Sequence, residues 1–202
     1  MRKTLTGMAI GVRELKGRSV AAVTLVTAAV VLGGCMSIGG GERYSDEEAA
    51  RRTAILMARP SLEEMIVRAE AMGHEIRSAI SSAVPVGPWR QSRPPSSAGN
   101  CDGFSYTYGQ GWSIGFWVID GGIPEELWPG ALAAMRSVTD RHGFGDPIVI
   151  VDRPGDHDLR IYGPDDAYVV LGTRNDALLD VVTGCYLPEA RRAGPGSDSG
   201  TK

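Results

Sequence analysis

The chain has 202 residues, 43% of them hydrophobic and 22% charged, with a formal net charge of −3. That ordinary globular mixture excludes a collagen-like, wholly disordered or polytopic membrane protein. With 21 Lys+Arg against 24 Asp+Glu, no basic surplus exists to hold a nucleic acid by phosphate neutralisation.

Residues 1–18 carry Arg2, Lys3, Arg13, Lys16 and Arg18 against one acid, Glu14. An uncharged apolar run from Val20 to Leu32 follows. This is a positive n-region and an h-region of signal-peptide length, too short for a comfortable membrane span. Initiation at Met8 instead of Met1 would leave the same pattern. Leu32-Gly33-Gly34-Cys35 reads as a lipobox. Small residues let an extended chain enter a peptidase site, and the Cys35 thiol takes a diacylglycerol. Residues 1–34 are therefore expected to be a lipoprotein signal peptide. Cys35 is the expected lipidation site, tethering the protein to the outer face of the cell membrane. Two or three acyl chains anchor stably where one does not, at about 0.8 kcal/mol per buried methylene. Losing five cations and one acid with the leader moves the net charge from −3 to −7.

Outside the cytoplasm thiols oxidise. With Cys35 acylated, Cys101 and Cys185 are the remaining pair, and one connectivity is left. A bridge across that separation contributes roughly 4–5 kcal/mol on the chain-entropy model. The competing reading, a cysteine nucleophile or metal ligand, finds no CxxC or CxH spacing to support it.

Gly39-Gly40-Gly41 lies in an expected flexible tether, residues 35–44. A single domain is expected over residues 45–188. Ser45-Asp46-Glu47-Glu48 and Ser61-Leu62-Glu63-Glu64 are capping boxes. The first opens a helix stopped near Ala58 by Arg59-Pro60. The second opens a longer helix with Leu62, Met65, Ile66, Ala69, Met72, Ile76 and Ile80 at helical spacing, ended by Pro85, Gly87 and Pro88. Residues 91–103 read as a loop. Phe104, Tyr106 and Tyr108 alternate like a strand, and Trp112 to Ile119 predicts another, with Trp112, Ile114, Phe116 and Val118 on one face. Pro129 suits the first turn of a helix carrying Leu132, Met135 and Val138, with Gly143 at its end. A meander follows: Ile148–Val151, Leu159–Tyr162, Tyr168–Leu171 and Leu178–Leu187, joined by turns rich in Asp, Pro and Gly. The predicted class is α+β, with N-terminal helices and one internal helix packed on a mostly antiparallel sheet of about five or six strands. Residues 189–202 read as a disordered tail.

Few residues suggest chemistry. Gly111-Trp112-Ser113-Ile114-Gly115 matches the nucleophile-elbow pattern, which requires a helix directly after the serine. Here Phe116-Trp117-Val118-Ile119 continues a strand, so a hydrolase centred on Ser113 is the weakest reading. Asp152, Asp156, Asp158, Asp165 and Asp166 lack the spacing of a calcium loop. His74, His142 and His157 lack zinc-ligand spacing. No catalytic residue, metal ligand or cofactor is predicted. Trp89 and Trp117 fall off the apolar face pattern and are the candidates for ligand contact.

The chain resembles the mycobacterial LppA-like lipoproteins, a family of uncharacterised function. Cys35, the helix end Ser82-Ala83-Val84-Pro85-Val86-Gly87-Pro88-Trp89, Cys101, and Thr183-Gly184-Cys185-Tyr186-Leu187 carry the resemblance. It implies membrane anchoring and brings no catalytic residues. Together these readings suggest a non-enzymatic binding or interaction module of the cell envelope, with an envelope protein or a hydrophobic ligand as partner. A carrier of a hydrophobic ligand or lipid is the alternative. Replacing Cys35 with Ala should move the protein from the detergent phase to the aqueous phase on Triton X-114 partitioning. Unchanged partitioning would contradict the lipobox assignment.

Overall fold

The computed structural model describes residues 45–104 and 106–192. The expected signal peptide, Cys35, the tether and residues 193–202 lie outside them. Both N-cap serines work as their spacing implies, while Glu48 and Glu64 turn their carboxylates to arginines further along their helices. The Ser45 hydroxyl accepts from the Glu48 N–H at 3.2 Å and starts α1, Asp46–Ala58. The Ser61 hydroxyl accepts from the Glu64 N–H at 3.3 Å and starts α2, Leu62–Ala83. The third helix, α3, spans Trp128–Thr139, with Pro129 in its first turn and a 3-10 turn after it that ends on Gly143. No helix among the described residues is long and apolar enough to cross a membrane.

Among the described residues eight strands form one antiparallel sheet, more than the five or six expected. They are β1 Arg90–Gln91, β2 Ser96–Asn100, β3 Gln110–Ser113, β4 Trp117–Asp120, β5 Pro147–Arg153, β6 Asp156–Tyr162, β7 Tyr168–Thr173 and β8 Asp176–Val182. The main order is β1-β4-β8-β7-β6-β5, and β3 also pairs β8 while carrying β2 on its other side. The predicted meander is β5 to β8, in consecutive antiparallel pairs.

One sheet face packs on α2 and α3. Leu159, Ile161, Val169, Leu171, Leu179 and Val181 alternate along β6 to β8 and meet Met72, Ile76 and Ile80 of α2 and Ala131, Met135 and Val138 of α3. Most of these side chains are almost fully buried. Such a core resists truncation, since each leucine or isoleucine cut to alanine costs about 2–5 kcal/mol. The opposite face carries Asp158, Arg160, Tyr162, Tyr168, Val170 and Asp180, as strand alternation requires.

Three local readings are corrected. Phe104 and residues 106–108 are not a strand. The Cys101 carbonyl accepts from Phe104 N–H, the Phe104 carbonyl accepts from the Thr107 N–H and hydroxyl, and Tyr106 has φ 66°. These local bonds offer the backbone a tighter alternative to a ladder. Ser96–Asn100, read as loop, is instead strand β2, paired to β3 with a bulge between Ser97 and Asn100. Its Ser-Ser-Ala-Gly-Asn sequence has no apolar alternation to reveal it. The strand expected over residues 112–119 breaks into β3 and β4. Gly115 sits at φ 87°, and a Cβ there would fall 2.2 Å from the Arg93 carbonyl oxygen. The break lets both pieces use β8: Ser113 pairs with Val182, and Trp117 with Leu179.

The start of the expected tail is ordered. Glu189–Arg192 form a short helix, α4. The Arg192 guanidinium donates to the carbonyls of Leu56, Met57 and Pro60 at 3.0–3.3 Å. Leu56 and Met57 lie in the last turn of α1 and Pro60 just beyond it, where a cation is favoured.

A charged clasp joins the β5–β6 turn to the start of α3. His157 is 5% exposed and stacks on Trp128 with ring centroids 4.8 Å apart. Its Nδ1 meets Asp152 and its Nε2 meets Glu125, each at 2.9 Å. Burial alone would lower the His157 pKa, but the hydrogen bonds and charges of Glu125 and Asp152 outweigh it, and the net shift is upward. Glu125 moves the other way, held below its usual range by the Gly155 N–H and by His157. The histidine contribution is thus complete below the unfolded value of about 6.5 and is lost as pH rises through the higher folded value. The Glu125 contribution is lost as pH falls through its lowered folded value. Urea midpoints measured across neutral pH should fall on the alkaline side, and His157→Gln should remove that slope. A slope unchanged in the variant would contradict the clasp.

Candidate functional site

The expected bridge is present: Cys101 and Cys185 form a disulfide with Cα atoms 5.6 Å apart. Cys185 is buried with Leu56 and Leu187, and Cys101 and Phe104 pack against them. The bridge ties the loop after β2 to the segment after β8, beneath the end of α1.

Ser113 does not stand at an elbow. It closes β3, and its hydroxyl donates to Asp180 at 2.8 Å while accepting from the Gly115 N–H at 3.0 Å. Both partners are buried. Burial pushes the Asp180 carboxyl up, against the pull of Ser113 and the Val181 N–H. None of the hydrogen bonds made by Ser113 involves a histidine, and the chain runs on into β4 rather than a helix. Ser113 and Asp180 are a polar pair closing the sheet.

Trp89 and Trp117 are half-buried against the main core. The Arg77 guanidinium lies 3.7 Å above the Trp117 ring, a close cation–π contact. Neither tryptophan lines either of the two grooves described below. The clustered aspartates are dispersed among separate partners: Asp152 on His157, Asp156 on Arg153, Asp165 on Arg59. Among the described residues, no group of three or more His, Cys, Asp or Glu side chains could hold a metal ion.

The first groove has a volume of about 250 Å³ and lies where α2 meets the sheet. Met65, Met72, Phe144 and Tyr186 form its walls, with Arg68 and His142 beside them. The second groove is larger, about 530 Å³, and opens on the sheet face opposite α2 and α3. Arg160, Tyr162 and Tyr168 come from β6 and β7. Asp102 and Asp166 come from turns, and Thr183 from the segment after β8.

Local sequence explains this second arrangement. Arg160 and Tyr162 share a face by the two-residue period of a strand, and the register sets Tyr162 opposite Tyr168. The Arg160 guanidinium stacks on the Tyr168 ring at 4.4 Å and donates from Nη1 to the Tyr162 hydroxyl at 3.2 Å. Burial raises the Tyr168 pKa, so its hydroxyl stays protonated at neutral pH. The Asp166 wall is backbone-strained. Asp165 and Asp166 have φ of 58° and 68° in succession, a region that side-chain-bearing residues seldom occupy. Asp165 is held there by Arg59 at 3.0 Å, the Tyr186 hydroxyl at 2.9 Å and the Cys185 N–H at 3.1 Å. Strain over-determined by its surroundings concentrates at functional sites.

A family model described as a lipoprotein confined to pathogenic Mycobacterium, LppA, matches residues 40–189. The chain belongs to the LppA family. The crystal structure of the lipoprotein LppA from Mycobacterium tuberculosis has the same fold, with a TM-score of 0.62 and 15% sequence identity, covering 74% of this chain and 92% of that one. A DUF4853 family protein from Actinomyces odontolyticus has a TM-score of 0.46 at 16% identity, over 69% of this chain and 76% of that one. No curated protein matches the chain. The family description is that of a lipoprotein and names no ligand.

The bridge carries a measurable share of stability. A Cys101→Ser/Cys185→Ser double variant should lose about 2–5 kcal/mol in urea unfolding. A loss below measurement error would show that the buried strap around Cys185 holds without it.

Proposed function

We propose that this LppA-family protein is a lipid-anchored, non-enzymatic binding module of the bacterial cell envelope. Acyl chains on Cys35 would tether it to the outer face of the membrane, and the groove around Arg160 would hold its partner. The lipobox and the family support the anchor. The groove supports binding: at about 530 Å³ it falls within the roughly 300–1,000 Å³ of small-molecule sites. Its polar groups converge on one place.

A carrier of a hydrophobic ligand is the second reading, and Met65 and Met72 favour it, since methionine adapts to apolar ligands. The first groove ranks below because about 250 Å³ falls short of that range. The core beneath it is close-packed, with Ile76, Ile80 and Leu171 fully buried.

The test places a photo-crosslinking residue at Tyr162 in the full-length, membrane-bound protein and a control at Val67, which is 66% exposed on α2. Irradiation of intact cells should give a discrete adduct at Tyr162 and none at Val67. Equal labelling at both positions would refute the groove as the binding surface.

A further inference from the structure

From the chemistry of this groove we propose that it takes an uncharged, hydroxyl-rich ligand, a short saccharide. The inference rests on the binding reading above and adds the ligand class. Three features select it. The first is the pairing of an aromatic face with planar polar groups. Tyr162 is 45% exposed, and its ring centroid lies 6.0 Å from that of Tyr168 at a 55° tilt. Arg160 stacks closely on the Tyr168 ring at 4.4 Å and lies 5.8 Å from the Tyr162 centroid, so the exposed Tyr162 ring is the more open of the two to a ligand. An apolar C–H face of a sugar ring matches such a surface.

The second feature is the supply of donors and acceptors in fixed planes. The guanidinium has five N–H donors, and the bond to the Tyr162 hydroxyl uses one of them. Its Nε is fully buried, so the donors left for a ligand are the remaining N–H groups on Nη1 and Nη2. The Asp102 and Asp166 carboxylates, both exposed, supply acceptors in the walls. Adjacent hydroxyl groups can bridge a guanidinium fork or both oxygens of a carboxylate, as a single charge cannot.

The third feature is the charge balance. Two carboxylates stand against one guanidinium, which disfavours an anion. A cationic ligand would meet Arg160, which is held rigidly by the two tyrosines. An alkyl chain would strip water from all three charged groups without replacing their hydrogen bonds, leaving buried charges unsatisfied. A neutral ligand rich in hydroxyls avoids each penalty.

The experiment titrates the full chain in detergent micelles with lactose and maltose, using glucuronic acid and glucosamine as charged probes, and follows backbone amide shifts by NMR. Saturable shifts with a neutral disaccharide, grouped at residues 98–102 and 160–168, support the proposal. Arg160→Ala and Tyr162→Ala should each weaken that binding at least about tenfold, while Val67→Ala leaves it unchanged. Tyr162 is exposed, so its variant remains informative if the Arg160 variant misfolds. Binding by glucuronic acid or glucosamine alone overturns the ligand class, as does the absence of shifts with all four probes. Neutral binding that persists in both variants overturns the site. A Tyr162 adduct in cells alongside no saccharide binding would keep the groove and reject the saccharide.

Discussion

Residues Thr183 to Leu187 tie together parts of the fold that would otherwise share little surface. Cys185 is bonded to Cys101. The Cys185 carbonyl accepts from Arg59 at 2.9 Å, and its N–H donates to the Asp165 carbonyl. Tyr186 exchanges both backbone bonds with Gln110 at the start of β3. Thr183 receives the Trp112 N–H on its hydroxyl, and the Leu187 carbonyl accepts from Leu62 at the first turn of α2. All four side chains in this strap are buried. Gly184 completes it, because a Cβ there would fall 2.0 Å from the Asp165 carbonyl oxygen. The strap thus sets the strained aspartate turn, the β2–β3 hairpin and the helix entry at once. Both grooves border on it, through Thr183 in each and Tyr186 in the smaller one.

This dependence explains what the sequence could reveal. Helices α1 and α2 were readable because a serine with a glutamate three residues on is a local device, complete within one turn. The β5–β8 meander was readable because short turns force neighbours to pair. β2 was hidden, since its pairing comes from the disulfide loop and from β3, and its own residues have no alternation. The 104–108 segment misled for the converse reason. Its aromatic alternation is real, but Phe104 packs toward the Cys185 cluster while Tyr106 and Tyr108 are exposed, so no common face is buried. Gly115 looked like one more strand glycine, and only the carbonyl of Arg93 beside it shows why the strand must break there.

The groove around Arg160 was harder to foresee than the fold. Trp89 and Trp117 drew attention as aromatics outside the face pattern, yet the break at Gly115 turns Trp117 toward α2 and under Arg77. The residues that do gather were present as a signal of lower contrast. Arg160, Tyr162 and Tyr168 flank the Pro164-Asp165-Asp166 turn, and a hairpin across that turn places the two tyrosines opposite each other. What could not be read was the strap's contribution from residues far along the chain, which closes the groove on its other side.

The polar sheet face also has an energetic logic. A sheet with helices on one side can leave the other to water, and then its residues need no partner protein to be stable. Here that face is more constrained than simple exposure requires. Asp180 is buried with its carboxyl pushed upward, and Asp158 has a buried oxygen without a hydrogen-bond partner. Both cost stability that apolar residues of similar size would not. The other exposed feature, Ile148, Val149 and Ile150 on edge strand β5, is handled differently. A bulge between Val149 and Val151 and the charges of Asp152 and Arg153 interrupt that edge, a pattern that discourages pairing with another strand. The fold therefore blunts its apolar edge while retaining costly polar groups around Arg160.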